Sequence, residues 1–175
     1  MILMERTMKK EEISKLFELL QNHKVYVQTH NFPDPDAIGS AYGLQQLLKY
    51  QGIESHLCYV GNIERISLQS IIKILPIKFA SYDQIMNMSE DDYIVTVDGQ
   101  KHNTNLTDLP GNEIACIDHH PTVFECDYQY KDIRIVGSCS TLITQYYIET
   151  NTPMSEDVAT ALLYGLQVDT DNLTR

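Results

Sequence analysis

Four apolar runs, each too short for a core-spanning helix and most stopping at an acidic or imidazole residue, constrain this chain most. Val25 to Val27 leads to His30, Asp92 to Val97 runs into Asp98-Gly99, and Glu113 to Ile117 runs into Asp118-His119-His120-Pro121, while Ile53 to Val60 is a further strand candidate. Their apolar residues do not alternate cleanly with polar ones, as expected of strands buried on both faces in a parallel sheet. Helical patterns lie between them. Met8 to Asn22 places Ile13, Leu16, Phe17 and Leu20 on one face, Ala37 to Tyr50 carries Ile38, Tyr42, Leu44, Leu47 and Leu48 and stops before Gly52, and Ile63 to Ile74 is stopped by Pro76. The alternation predicts an α/β fold, a parallel Rossmann-like sheet with helices on both faces. Ile133 to Val136 reads as a short strand, and Ser138 as the cap of a helix running through Ile148. Pro153 and Ser155 open a last helix that keeps Val158, Leu162 and Leu166 inward and ends at Val168-Asp169-Thr170-Asp171. The polar stretch Gln100 to Gly111 is expected to loop over the sheet edge.

The chemistry lies at the strand ends. Thr29 to Ser40 holds His30, Asp34 and Asp36 on a strand-to-helix loop, the place where ligands bind in open α/β sheets, and Pro33 and Pro35 remove backbone freedom there. A purely structural reading is also open, with Asp36 capping the next helix, Asp34 in a turn and His30 a satisfied strand-end residue. Asp169 extends an inward-facing apolar stripe, which is costly for a carboxylate unless something positive meets it, or else marks a frayed helix end. Taken together, His30, Asp34, Asp36, Asp98, one histidine of the pair His119-His120, and Asp169 would bring two imidazoles and four carboxylates to one sheet edge. Four carboxylates balance two divalent cations, and this oxygen-rich set suits manganese or magnesium better than a thiolate-preferring metal. Two such ions about 3.5 to 4 Å apart can share a hydroxide and clamp a phosphoryl group. Asp98 and Asp169 are the expected bridges.

Composition narrows the alternatives. A net charge of -11 argues against broad duplex binding, which needs many Lys and Arg against phosphates. Cys58, Cys116, Cys126 and Cys139 show no Cys-x-x-Cys spacing and read as reduced thiols, mostly buried. Met1 to Lys10 has no apolar core of signal-peptide length, and no stretch approaches a bilayer span, so a cytoplasmic protein without membrane attachment is expected. Neither a Gly-x-x-x-x-Gly-Lys loop nor a Gly-x-Gly-x-x-Gly turn is present. The eleven tyrosines read as packing residues, and Gly137 to Thr141 as a helix cap rather than a phosphate cradle.

His-x-x-x-Asp-x-Asp-Ala-x-Gly-Ser at His30 to Ser40, then Asp98, Asp118-His119-His120 and Asp169-Thr170-Asp171-Asn172, resemble the successive motifs of the DHH phosphoesterase superfamily, in that family's order. That superfamily includes RecJ-like exonucleases, nanoRNases that also act on phosphoadenosine phosphate, cyclic-dinucleotide phosphodiesterases and, with a related pattern, family II pyrophosphatases. The resemblance implies that His30 and Asp34 hold one manganese, Asp36 and His119 the other, and that Asp98 and Asp169 bridge, with cobalt or magnesium as substitutes. It implies a substrate-phosphate contact for His120 and an orienting role behind a histidine for Asp118, although adjacent histidines cannot be ranked by sequence. It also implies a second, smaller substrate-binding domain. None is present within residues 1–175, so the chain reads as one DHH catalytic domain, truncated after Asp169. The expected activity is hydrolysis of short oligonucleotides or small nucleotides. The alternatives are a pyrophosphatase or exopolyphosphatase with the same metals, and a non-catalytic nucleotide or metal sensor. Oligomeric state is left open, a homodimer among the options.

Overall fold

The computed structural model describes residues 9–174. Helix α1 (Lys10–Leu20) leads into strand β1 (Val25–Thr29), helix α2 (Pro35–Tyr50), strand β2 (Ser55–Tyr59), helix α3 (Ile66–Ile74) and strand β3 (Phe79–Ser81). After a 3-10 turn at Tyr82–Gln84 come β4 (Tyr93–Val97), β5 (Asn112–Asp118), β6 (Tyr130–Ile133), α4 (Cys139–Glu149) and α5 (Glu156–Asp169). All six strands pair in parallel in the order β3-β2-β1-β4-β5-β6. The order reverses between β1 and β4, so a crevice opens between their carboxyl ends.

The parallel α/β architecture is as the alternation predicts; the cover of the second face is not. Val25, Val27, Leu57, Val95 and Ile117 share one core with residues of all five α-helices. The opposite face carries Tyr26, Cys58 and Ile94, and is covered by Leu109, Tyr82, Ile85 and Met88 from loops and the 3-10 turn instead of an α-helix. The Gln100 to Gly111 stretch therefore lies across this face rather than over an edge, anchored by a hydrogen bond from Gln28 Nε2 to the Thr107 carbonyl (2.7 Å). Two strands differ from expectation. β3 spans only three residues at the sheet margin, too short to leave a pattern. β6 begins three residues before the expected Ile133 because Asp132 faces inward: its carboxylate accepts from Arg134 Nε (2.6 Å), Arg134 Nη2 (2.8 Å) and the Tyr146 hydroxyl (2.9 Å). A buried aspartate satisfied by side chains outside its strand looks like loop in the sequence. The Met8 end of the expected first helix lies outside the described residues. All four cysteines are free, three of them buried, as expected.

Helices α2 and α5 pack at unusually close range. A Cβ on Gly39 would stand 2.5 Å from the Ala161 carbonyl oxygen, and one on Gly165 would stand 2.9 Å from Asp36 Cα. Backbone cannot yield as a side-chain tip can, so these hydrogens set the spacing of the two helices and with it the position of Asp169 at the end of α5. Gly39→Ala should force the helices apart at a cost of about 1–3 kcal/mol. Urea unfolding checks this, and an unchanged midpoint would show that α5 is free to shift.

Candidate metal centre

Strand register assembles the site. β1 pairs with β4 so that Thr29 lies beside Val97, which puts His30 next to Asp98; Val97 in turn lies beside Ile117, which brings Asp118, His119 and His120 alongside. Asp98 turns sharply out of β4 with φ at 56°, a left-handed conformation that aspartate tolerates better than most residues. His30 Nε2 stands 3.6 Å from Asp98 Oδ2, and His119 Nε2 3.2 Å from Asp98 Oδ1. Asp98 thus presents one oxygen to each histidine. Asp34 Oδ1 is 3.9 Å from His30, while Asp36 Oδ2 and Asp169 Oδ2 are 3.7 and 3.3 Å from His119. The donors fall into overlapping groups: His30, Asp34 and Asp98; Asp36, His119 and Asp169; and Asp98 with His119 and His120.

The two inner histidines are oriented alike. His30 Nδ1 lies 2.8 Å from the Asn31 carbonyl and His119 Nδ1 3.1 Å from that of Val136. A contact to a carbonyl requires a proton on Nδ1, so each ring turns Nε2 toward the carboxylates. His119 Nε2 and Asp98 Oδ1 are buried and, although 3.2 Å apart, form no well-aligned hydrogen bond, an arrangement of donors that suits a cation. Burial alone would lower the pKa of His30, but Asp34 and Asp98 carry it up to about 10. His119 likewise overcomes its burial through Asp98 and reaches about 9. Asp98, despite its own burial, is held well below the usual carboxylate range by His119 and His30. Asp36 is pushed up to about 7 by burial and then by Asp98, and Asp169 is raised by burial and by Asp34 and Asp98. This crowding of negative charge is a reason for a divalent cation to bind.

Helix capping divides the motif in a way its spacing did not indicate. Asp34, not Asp36, caps α2, accepting at Oδ1 from the Asp36 and Ala37 amides (2.9 and 3.0 Å). Asp36 reaches the start of α4 instead, where Oδ2 accepts from the Cys139 amide (2.7 Å) and Oδ1 from that of Ser140 (2.8 Å). Ser138 caps α4 as expected (3.1 Å to the Thr141 amide), and the helix-start amides hold this carboxylate rather than cradling a phosphate. His120 is half-exposed, and its Nδ1 is fixed by Asp118 Oδ1 at 2.9 Å. Sequence reasoning missed Gln100, which is buried and donates from Nε2 to Asp118 Oδ2 (2.6 Å) and to the His120 carbonyl (3.0 Å). Its place two residues after Asp98, at the head of a polar loop, was the only signal.

A parallel α/β protein with a carboxylate- and imidazole-lined crevice at its topological switch point is the class that fold and site define. Residues 24–166 match the model of the DHH family, N-terminal domain, and the chain belongs to that family. It is 36% identical over 152 residues to an uncharacterized protein of Methanocaldococcus jannaschii, covering 85% of this chain and 31% of that one. It is 28% identical over 152 residues to a "probable manganese-dependent inorganic pyrophosphatase" of Streptococcus thermophilus, covering 84% and 48% of the two chains. With a "probable bifunctional oligoribonuclease and PAP phosphatase", NrnA of Streptococcus mutans, identity is 27% over 150 residues, covering 83% and 45%. An exopolyphosphatase-related protein from Bacteroides fragilis shares the fold, with a TM-score of 0.70 at 22% identity over 94% of this chain and 51% of that one. The chain thus spans 31% to 51% of the length of these relatives. Among the described residues no helix is long and apolar enough to cross a membrane.

In metal-free protein the protonated rings of His30 and His119 stand in for a cation. Both folded-state values lie above the ordinary 6.5, so this stabilisation is complete below about 6.5 and is lost as pH rises through about 9 to 10. The urea midpoint of chelator-treated protein should fall between pH 7 and pH 10. A flat profile would mean that the rings are not paired as described.

Proposed function

We propose that this chain is the catalytic domain of a manganese-dependent phosphoesterase acting on short oligonucleotides or small nucleotides such as phosphoadenosine phosphate. The observation that carries this reading is Asp98, with one oxygen turned to His30 and the other to His119. We assign His30 and Asp34 to one cation, Asp36, His119 and Asp169 to a second, and Asp98 to both, with magnesium or cobalt as substitutes. Asp169 serves the second ion alone in this assignment, because it groups with Asp36 and His119 and not with His30 and Asp34. Bound there, such a cation pair would supply an activated water and electrophilic polarisation of a phosphoryl group.

The chain's own groups supply the positioning. Val136 and Asn31 hold the proton of each inner imidazole on Nδ1, leaving Nε2 as donor. The α4 amides hold Asp36 in a single orientation. His120, half-exposed and fixed through Asp118 by Gln100, is assigned to a phosphoryl oxygen, to which it would donate a hydrogen bond or a proton. The same ligands would serve inorganic pyrophosphate, and the similarity to the Streptococcus thermophilus protein over the same span favours that second reading. We further propose that the 175 residues form one domain, and that productive substrate positioning draws on a further domain of the kind the longer relatives have room for.

Calorimetric manganese titration of this chain and its Asp98→Ala variant tests the assignment, followed by assay with a two-nucleotide RNA, phosphoadenosine phosphate and pyrophosphate. Two ions should bind, with tight binding and turnover lost in the variant. Retained activity would rule out the shared role of Asp98, and preference for pyrophosphate would select the second reading. His120→Ala should keep both ions yet lose about 10²- to 10⁴-fold in turnover, the range for a positioned acid. Loss of metal instead would make His120 a ligand.

A further inference from the structure

We propose that the hollow between the loops after β1 and β2 is a nucleotide subsite, where Arg65 pairs with the phosphate that is not cleaved and Phe32 stacks on a base; this rests on the phosphoesterase reading above. The hollow has a volume of about 280 Å³, and Phe32, Asp34, Asn62, Glu64, Arg65 and Leu68 are among its lining residues. Asp34 belongs both to this hollow and to the donor group of His30 and Asp98, so an occupant would lie directly beside the reacting phosphoryl group. The volume is at the lower limit of ligand cavities, roughly 300–1,000 Å³, and suits one nucleoside-sized unit rather than an oligonucleotide.

Two residues give the hollow its chemistry. Phe32 is 63% exposed and adopts φ of 54°, a conformation that a bulky residue rarely takes. Its amide donates to the Val60 carbonyl (3.0 Å), and its ring lies on Gly61, where a Cβ would come within 2.7 Å of it. Backbone strain thus holds a large apolar ring in solvent beside a charged crevice, where it gains little from the core. Arg65 is exposed and makes no ion pair among the described residues, although Glu64 is its neighbour and the chain carries a net charge of -11. A free guanidinium fork matches the oxygens of a phosphate, and an aromatic face accepts any base. Pyrophosphate could use Arg65 but would gain nothing from Phe32, so the pair favours a nucleotide.

The chain contains no tryptophan, so Phe32→Trp places a single indole in the hollow, which can be excited selectively over the eleven tyrosines. In the metal-loaded full chain, adenosine 5′-monophosphate should change its emission saturably, and inorganic phosphate should not. Calorimetry on Arg65→Met and Phe32→Ala should show affinity for the nucleotide weakened about tenfold or more, with Arg65→Lys recovering part of it and metal stoichiometry the same throughout. Unmoved emission, or wild-type nucleotide affinity in Arg65→Met, would overturn the subsite. Hydrolysis of the two-nucleotide RNA together with either result would leave the phosphoesterase reading standing. Nucleotide binding in the hollow with no hydrolysis of any substrate would do the reverse.

Discussion

The carboxylate of Asp36 is the contact on which the rest of the crevice depends. It is fully buried at the start of α2 and accepts from two amides at the start of α4, more than a hundred residues along the chain. A buried carboxylate without donors would be costly, and two backbone N–H groups at a helix start meet that cost with both hydrogen bonding and the helix dipole. The pairing fixes α4 against α2, and Gly165, whose missing Cβ leaves room over Asp36 Cα, lets α5 settle on the same spot. Three helices therefore converge on one side chain, and Asp169 is carried to His119 as a result.

The charge balance follows from that convergence. Asp34, Asp36, Asp98 and Asp169 crowd around the imidazoles of His30 and His119. Proton uptake by His30 and His119 relieves part of the repulsion, yet Asp36 and Asp169 remain harder to ionise than ordinary aspartates. The arrangement trades electrostatic ease for a ready place for multivalent cations, a trade common at functional sites.

The strand ends were legible because parallel strands write themselves as compact apolar runs, and His30, Asp98 and His119 each sit immediately after one. The sheet and the residues His30, Asp98 and Asp118-His119-His120 could be read for that reason. The division of labour between His119 and His120 could not. It rests on the Val136 contact to His119, which depends on how β5 and β6 pair, set against the local Asp118 contact to His120. Asp34 and Asp36 were both visible, but which one caps α2 depends on where α4 starts. β6 was misplaced for a related reason, since Asp132 is made tolerable inside only by Arg134 and Tyr146. Periodicity reports burial of apolar residues, and it is silent where a buried polar residue is satisfied from afar.

Asp169 shows how stability and cation binding are linked. It closes α5, where the partial negative charge of the helix end opposes a carboxylate, and no basic residue occupies the last turn. Its neighbours Asp34 and Asp98 add repulsion that His119 only partly offsets. A cation bound between Asp36, His119 and Asp169 would remove all three penalties at once while leaving the unfolded chain almost unaffected. Ligand binding confined to the folded state raises stability in proportion to the logarithm of ligand over its dissociation constant. A cation there would thus stabilise the end of α5, and the close α2–α5 packing holds that end in place without one.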